Sequence, residues 1–252
     1  MSTNEVLFRY LLRLADNNFI LGHRLTQWCG HGPILEEDIA LANIALDKLG
    51  TARALYDYAA KIEGKNRTED DLAFLRSERE FMNSLLAEQP NGDYAQTMVR
   101  EWFNDVFDLM LYEKLQTSSD TTLAGIAAKA VKELKYHLRH SQQWIIRFLE
   151  GTDESRARVE TALRELWPFT GERFVADETD KAVVANKIGP DIQAFEAAWK
   201  THISAVLKES GLELPADAYM QSGSKKGVHT EHLGFILAEC QYLPRTMPHA
   251  KW

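Results

Sequence analysis

The chain has little that would staple, break or anchor it. Its 252 residues include two cysteines, Cys29 and Cys240, far apart and in no Cys-x-x-Cys pattern. That excludes a disulfide framework and suits a reducing compartment, so a cytoplasmic setting is expected. Seven prolines and fourteen glycines are few, and they gather between long periodic segments. β-branched alternation of the kind a strand needs is missing throughout. So is any uncharged run of 18 residues, and no membrane span is expected. The opening stretch "MSTNEVLFRYLLRLADNN" carries Glu5, Arg9, Arg13 and Asp16 among its apolar residues, unlike a signal peptide. An excess of positive charge is also lacking: the formal net charge is −8, which argues against a general nucleic-acid surface.

What remains is helix. The apolar spacing and the breaks predict helices at about 4–28, 35–62, 69–88, 93–117, 121–150, 153–175, 190–210 and 229–243. The turn "CGHGP" ends the first. Glu36, Glu37 and Asp38 suit the N-terminal dipole of the second. In that helix Ile39, Ala42, Leu46, Leu49 and Tyr56 line one face, widened by Leu41, Ala45 and Ala52. Such breadth predicts a central bundle position. The expected architecture is all-α: a large four-helix bundle with additional helices, one domain over 1–252, with its core in about 4–150 and a helical elaboration in about 153–252.

Bundles of this size often hold two metal ions between four helices, using two glutamates and two Glu-x-x-His pairs. The i, i+3 spacing aims both side chains at one point. The eight histidines are at 23, 31, 137, 140, 202, 229, 232 and 249, and none has Asp or Glu three residues before it. In "KELKYHLRHS" the residue three before His137 is Leu134, and Glu133 is four before it. The motif is broken in either register. His137-x-x-His140 and His229-x-x-His232 keep helical spacing, but histidine pairs without carboxylates rarely make a bundle oxygenase site.

Two further features stand out. Gly50 interrupts an apolar helix, where it costs about 1 kcal/mol relative to alanine; a close helix contact is one reason for it. Arg53, a turn further on, is either solvated or buried against a carboxylate. In "GSKKGVHTEHLG", Lys225 and Lys226 sit between glycines just before a helix. That loop reads either as a solvated basic turn or as a holder of phosphate.

Four stretches carry a resemblance: "LADNNFILGHRLTQWCGHGPILEEDIALANIALDKLGTARALYDYAA", "FLRSEREFMNSLLAEQPNGDYAQTMVR", "AAKAVKELKYHLRHSQQW" and "GSKKGVHTEHLGFILAECQYL". In these the chain resembles the phenylacetic acid degradation family, in its structural-subunit (PaaC) branch, part of the multicomponent phenylacetyl-CoA 1,2-epoxidase. The resemblance implies a ferritin-like fold and a non-catalytic role. It implies a related catalytic partner, PaaA, that carries the di-iron site, other oxygenase components, and a separate reductase fed by NADPH. No cofactor is then expected on this chain, and Lys225 and Lys226 become candidates for a coenzyme A phosphate or a partner contact. It also places Gly50 and Arg53 where Glu and His stand in the sister subunit, and Leu134 in a glutamate place, so that His137 marks a vestigial site near Glu133. In that picture Arg53 points inward as a fixed cation and pairs with Glu133, Glu101 or Asp105. The rival reading is a di-metal oxygenase or an iron-binding ferritin-like protein with atypical ligands.

Overall fold

A computed structural model describes residues 2–216, 219–248 and 250. It is all-helical and ferritin-like, with long helices in antiparallel pairs and shorter helices added. Among the described residues there is no strand. The chain divides into two compact units, Met1–Glu88 with Gly223–Trp252, and Gln89–Ser222.

The first unit is built on α1 (Thr3–Thr26) and α2 (Leu35–Glu63), packed along each other, with α3 (Glu69–Phe74) following. Ser2 caps α1 by accepting from the Glu5 N–H. Leu11, Ala15, Ile20, Leu21 and Leu25 are fully buried on α1. The two helices approach closely at Gly22, where a Cβ would lie 2.8 Å from Leu49 Cγ. α2 starts without a side-chain cap, and its acidic first turn serves the dipole instead. It ends at Gly64, whose φ of 69° is the left-handed cap position that favours glycine.

The helix expected over 69–88 is instead a single capped turn and an irregular run. Thr68 and Asp71 form a reciprocal capping box at the start of α3. After Phe74 the chain passes through a short 3-10 turn at Glu78–Glu80 and stays non-helical through the Leu85 region. Tertiary hydrogen bonds replace the helical ladder there, as described below.

The second unit pairs α4 (Tyr94–Leu115) with α5 (Thr121–Glu150). Asp93 and Asp120 cap them through the Gln96 and Leu123 N–H groups. The limits expected for α5 hold. α6 (Asp153–Leu166) is shorter than expected, because Pro168 turns the chain into 3-10 segments as far as Phe174. α7 (Glu178–Ala185) was not foreseen; α8 (Glu196–Glu209) was. An aromatic cluster of Phe103, Phe107, Trp167, Phe174 and Trp199 fills this unit's core, with the Trp199 indole N–H donating to the Phe103 carbonyl at 3.0 Å. α9 (Glu231–Cys240) and α10 (Tyr242–Thr246) return the chain to the first unit.

Candidate functional site

The residues that the resemblance grouped as a vestigial site differ in burial. On α5, His137 is 2% exposed and Leu134 is buried beside it one turn earlier. Glu133 is part-buried and lies 3.4 Å from the exposed Lys129. Gly50 and Arg53 are on the solvent side of α2. A Cβ on Gly50 would meet nothing within 4 Å. The Arg53 side chain is 76% exposed and pairs with Glu69 at 3.2 Å. The expectation that Arg53 points inward as a buried cation is therefore overturned. The helical register explains it: Arg53 continues the Ile39–Leu46 side of α2, and that side faces water. Ile39 is 53% exposed, Leu46 66% and Leu35 72%, so the expected burial of the Ile39–Leu46 face fails too.

The cation buried on α2 is Lys48, only 1% exposed. Lys48 stands three after Ala45 and four before Ala52, both buried, so it occupies the core stripe itself. The two expected carboxylate partners on α4 are buried and otherwise engaged. Glu101 accepts from Arg100 Nε and Nη2, both at 3.1 Å, and Asp105 accepts from the Ser141 hydroxyl at 2.9 Å.

The first unit holds two buried charge centres that spacing did not expose. Asp16 on α1 accepts from the Tyr56 hydroxyl at 2.6 Å, from Arg76 Nη1 at 3.1 Å, from Arg76 Nη2, and from the Met82 N–H at 2.8 Å. Burial and the Asp16 charge both raise the Tyr56 hydroxyl well above its ordinary range. Burial opposes the charge on Arg76, but Asp16 and Tyr56 outweigh it and keep the guanidinium protonated. Arg76 also lies over the Phe81 ring at 4.2 Å. The second centre is Glu88. It accepts from Asn83 at 2.8 Å and from the Thr230 N–H and hydroxyl at 2.7 and 2.8 Å, with His229 Nδ1 at 2.8 Å. His229 Nε2 faces the Phe81 carbonyl at 2.9 Å. These contacts, not helix, organise the run from Arg76 to Glu88. The only sequence hint was the polar triplet Asp16-Asn17-Asn18 inside an apolar helix.

In the second unit Arg173 reaches Asn104 and Asp108 and lies over the Phe107 ring at 3.9 Å. Arg100 is fully buried, which lowers its proton affinity; Glu101 partly restores it.

Lys225 and Lys226 lie on a one-turn 3-10 segment, Ser224–Lys226, closed by Gly227 at φ 70°. A side chain on Gly227 would run into the Arg79 carbonyl. Lys226 is exposed. A cavity of about 170 Å³ is lined by His23, Thr26, Gln27, Ile236, Glu239 and Cys240. Burial lowers His23 to about 4 and raises the Cys240 thiol to about 12, so neither is a charged nucleophile or acid near neutrality. His249 lies outside the described residues.

Among the described residues, no group of three or more His, Cys, Asp or Glu side chains is placed to hold a metal ion. No described helix is long and apolar enough to cross a membrane. The donor set does not fit a di-metal centre: His137 has Leu134 where the paired carboxylate belongs. The class is thus a ferritin-like helical protein with charge pairs inside and no di-metal ligand set among its described residues. The chain belongs to the PaaA/PaaC family of phenylacetic acid catabolic proteins, whose model matches residues 1–252. It is 48% identical over 246 residues to the C subunit of the 1,2-phenylacetyl-CoA epoxidase of Escherichia coli strain K12, covering 98% of this chain and 99% of that protein.

Proposed function

We propose that this chain is a non-catalytic subunit of a cytoplasmic, multicomponent phenylacetyl-CoA 1,2-epoxidase in aerobic phenylacetate catabolism. Its role is to pair with and support the di-iron catalytic subunit, PaaA, while a separate reductase draws electrons from NADPH. The observation that carries this reading is the buried pair Leu134 and His137 on α5. A metal-binding bundle needs a carboxylate at the first of these positions. Leucine there supplies packing in place of a ligand. The similarity to an epoxidase subunit along nearly the whole chain supports the same reading.

A scaffold subunit needs a surface to be covered. Leu35, Ile39 and Leu46 form an exposed apolar stripe at helical spacing on α2. The catalytic subunit is its occupant in this reading, over an area above about 1,000 Å². The test is co-purification with that subunit and an iron assay on each separated chain. Co-elution at micromolar concentration, with iron on the partner alone, is the expected result. Near two irons on this chain would revive a di-metal oxygenase, and no co-elution would end the scaffold reading.

Lys225 and Lys226 are assigned a supporting role at a coenzyme A phosphate or an acidic patch on the partner. Both stand on a turn whose closing glycine is sterically required. Changing both to glutamate should weaken substrate binding or assembly, more so at low salt. Wild-type values for binding, assembly and turnover would reduce the turn to a solvated one.

A further inference from the structure

We propose that the outer face of α5 docks the acidic surface of another protein component of the epoxidase assembly. This rests on the reading of the chain as a subunit of that assembly. Between residues 128 and 140, α5 carries Lys129, Lys132, Lys135 and Arg139 against one carboxylate, Glu133, in a chain whose net charge is −8. All four cations are exposed. Steps of three and four residues place them along one side of the helix. Glu133 lies 3.4 Å from Lys129, and no ion pair holds Lys132 or Lys135 among the described residues.

Within the cations stands Tyr136, 41% exposed. Arg139 lies over its ring at 5.5 Å, and His140 stacks on it with centroids 6.2 Å apart. The neighbouring helix α6 shows what a solvated face of this unit looks like. There Arg156 pairs with Glu160 at 3.1 Å and Arg158 with Glu154 at 2.6 Å. Like charges three and four residues apart destabilise a helix. α6 avoids that cost, and α5 carries it.

The chemistry selects the occupant. A cationic helix face on an acidic protein attracts a carboxylate-rich surface locally, while the rest of the molecule repels a long polyanion such as nucleic acid. The strip is a convex helix flank, without the converging donors or concave walls that a nucleotide site needs. Tyrosine and arginine are the side chains that dominate protein interfaces once desolvated. A charged contact also governs encounter rate and salt response, which suits a component that docks and leaves.

The test uses the folded full-length chain and each of the other purified epoxidase components in turn. Affinities are measured at about 25 and about 250 mM salt, where the screening length falls from roughly 20 to roughly 6 Å. For one component the wild type should bind at least about 10-fold more weakly at the higher salt. Lys132→Glu/Lys135→Glu should bind that component at least about 10-fold more weakly at the lower salt, with unchanged helicity and melting. Lys132→Gln/Lys135→Gln should fall between. Equal binding of wild type and the double variant to every component overturns the docking face and leaves the assembly reading standing. Loss confined to heparin or coenzyme A also overturns it, in favour of a general polyanion or nucleotide site. If no component binds the wild type, both readings fall.

Discussion

The two compact units solve the same interior problem differently. In the first, Asp16 is surrounded by an arginine, a tyrosine and a backbone N–H, and the arginine comes from a non-helical segment. In the second, Arg173 shares itself between a neutral amide, Asn104, and Asp108, with a phenylalanine ring beneath. Their outer faces differ as well. α2 shows leucine and isoleucine to solvent, and α5 shows lysine. In the first unit, buried charge holds an irregular run in place, and the exposed side of α2 is apolar. In the second, aromatic packing carries more of the core, and the exposed helix carries charge.

The sharpest way to break that comparison is Arg76→Ala. It leaves Asp16 buried without its cation and should cost about 3–5 kcal/mol in denaturant unfolding. A cost under about 1 kcal/mol would mean that the Asp16 centre does not organise the Arg76–Glu88 run. Arg173→Ala should cost less, about 2–3 kcal/mol, since one of its two partners is neutral. If the two variants prove equal, the contrast between the units is lost.

A pH series sharpens the comparison further. His23 belongs to the first unit, and burial lowers it to about 4 from an ordinary 6.5. Between those values the unfolded chain binds the proton and the folded chain does not. Stability from this group is therefore whole above pH 6.5 and falls as pH drops towards 4. The loss should be at most about 2 kcal/mol, allowing for the open side of its cavity. His23→Gln should flatten the unfolding free energy across that window; an unchanged slope would remove His23 as its source.

The smallest effects are expected on the outer face of α2. Arg53→Ala should change stability by less than about 0.5 kcal/mol, as an exposed ion pair does. Gly50→Ala should stabilise the isolated chain by about 0.5–1 kcal/mol, because a Cβ there meets nothing. A destabilised Gly50→Ala chain would show that this side of α2 is not open.

Much of the fold was legible as periodicity. The limits of α5 follow from Asp120 and Gly151 around a continuous apolar stripe, the start of α1 from Ser2 and the end of α2 from Gly64. The broken Glu-x-x-His before His137 was equally plain, because a ligand pair on one helix depends only on local spacing. Which side of α2 faces inward was not. That helix is apolar nearly all round, so Leu46 and Lys48 were each compatible with either environment, and resemblance alone placed Arg53 inside. Only tertiary packing assigns the buried place to Lys48 and the solvent to Leu46 and Arg53. The same holds for the Arg76–Glu88 run, read as helix. Its backbone is set by Asp16 sixty or more residues earlier and by His229 about 140 later, and no local pattern reports a partner that far away. Local chemistry in the sequence thus determined helices, caps and the broken Glu-x-x-His spacing. The packing of α1 against α2, and the buried charges between distant segments, decided which faces those helices hide, because burial is a property of neighbours that spacing along one helix does not contain.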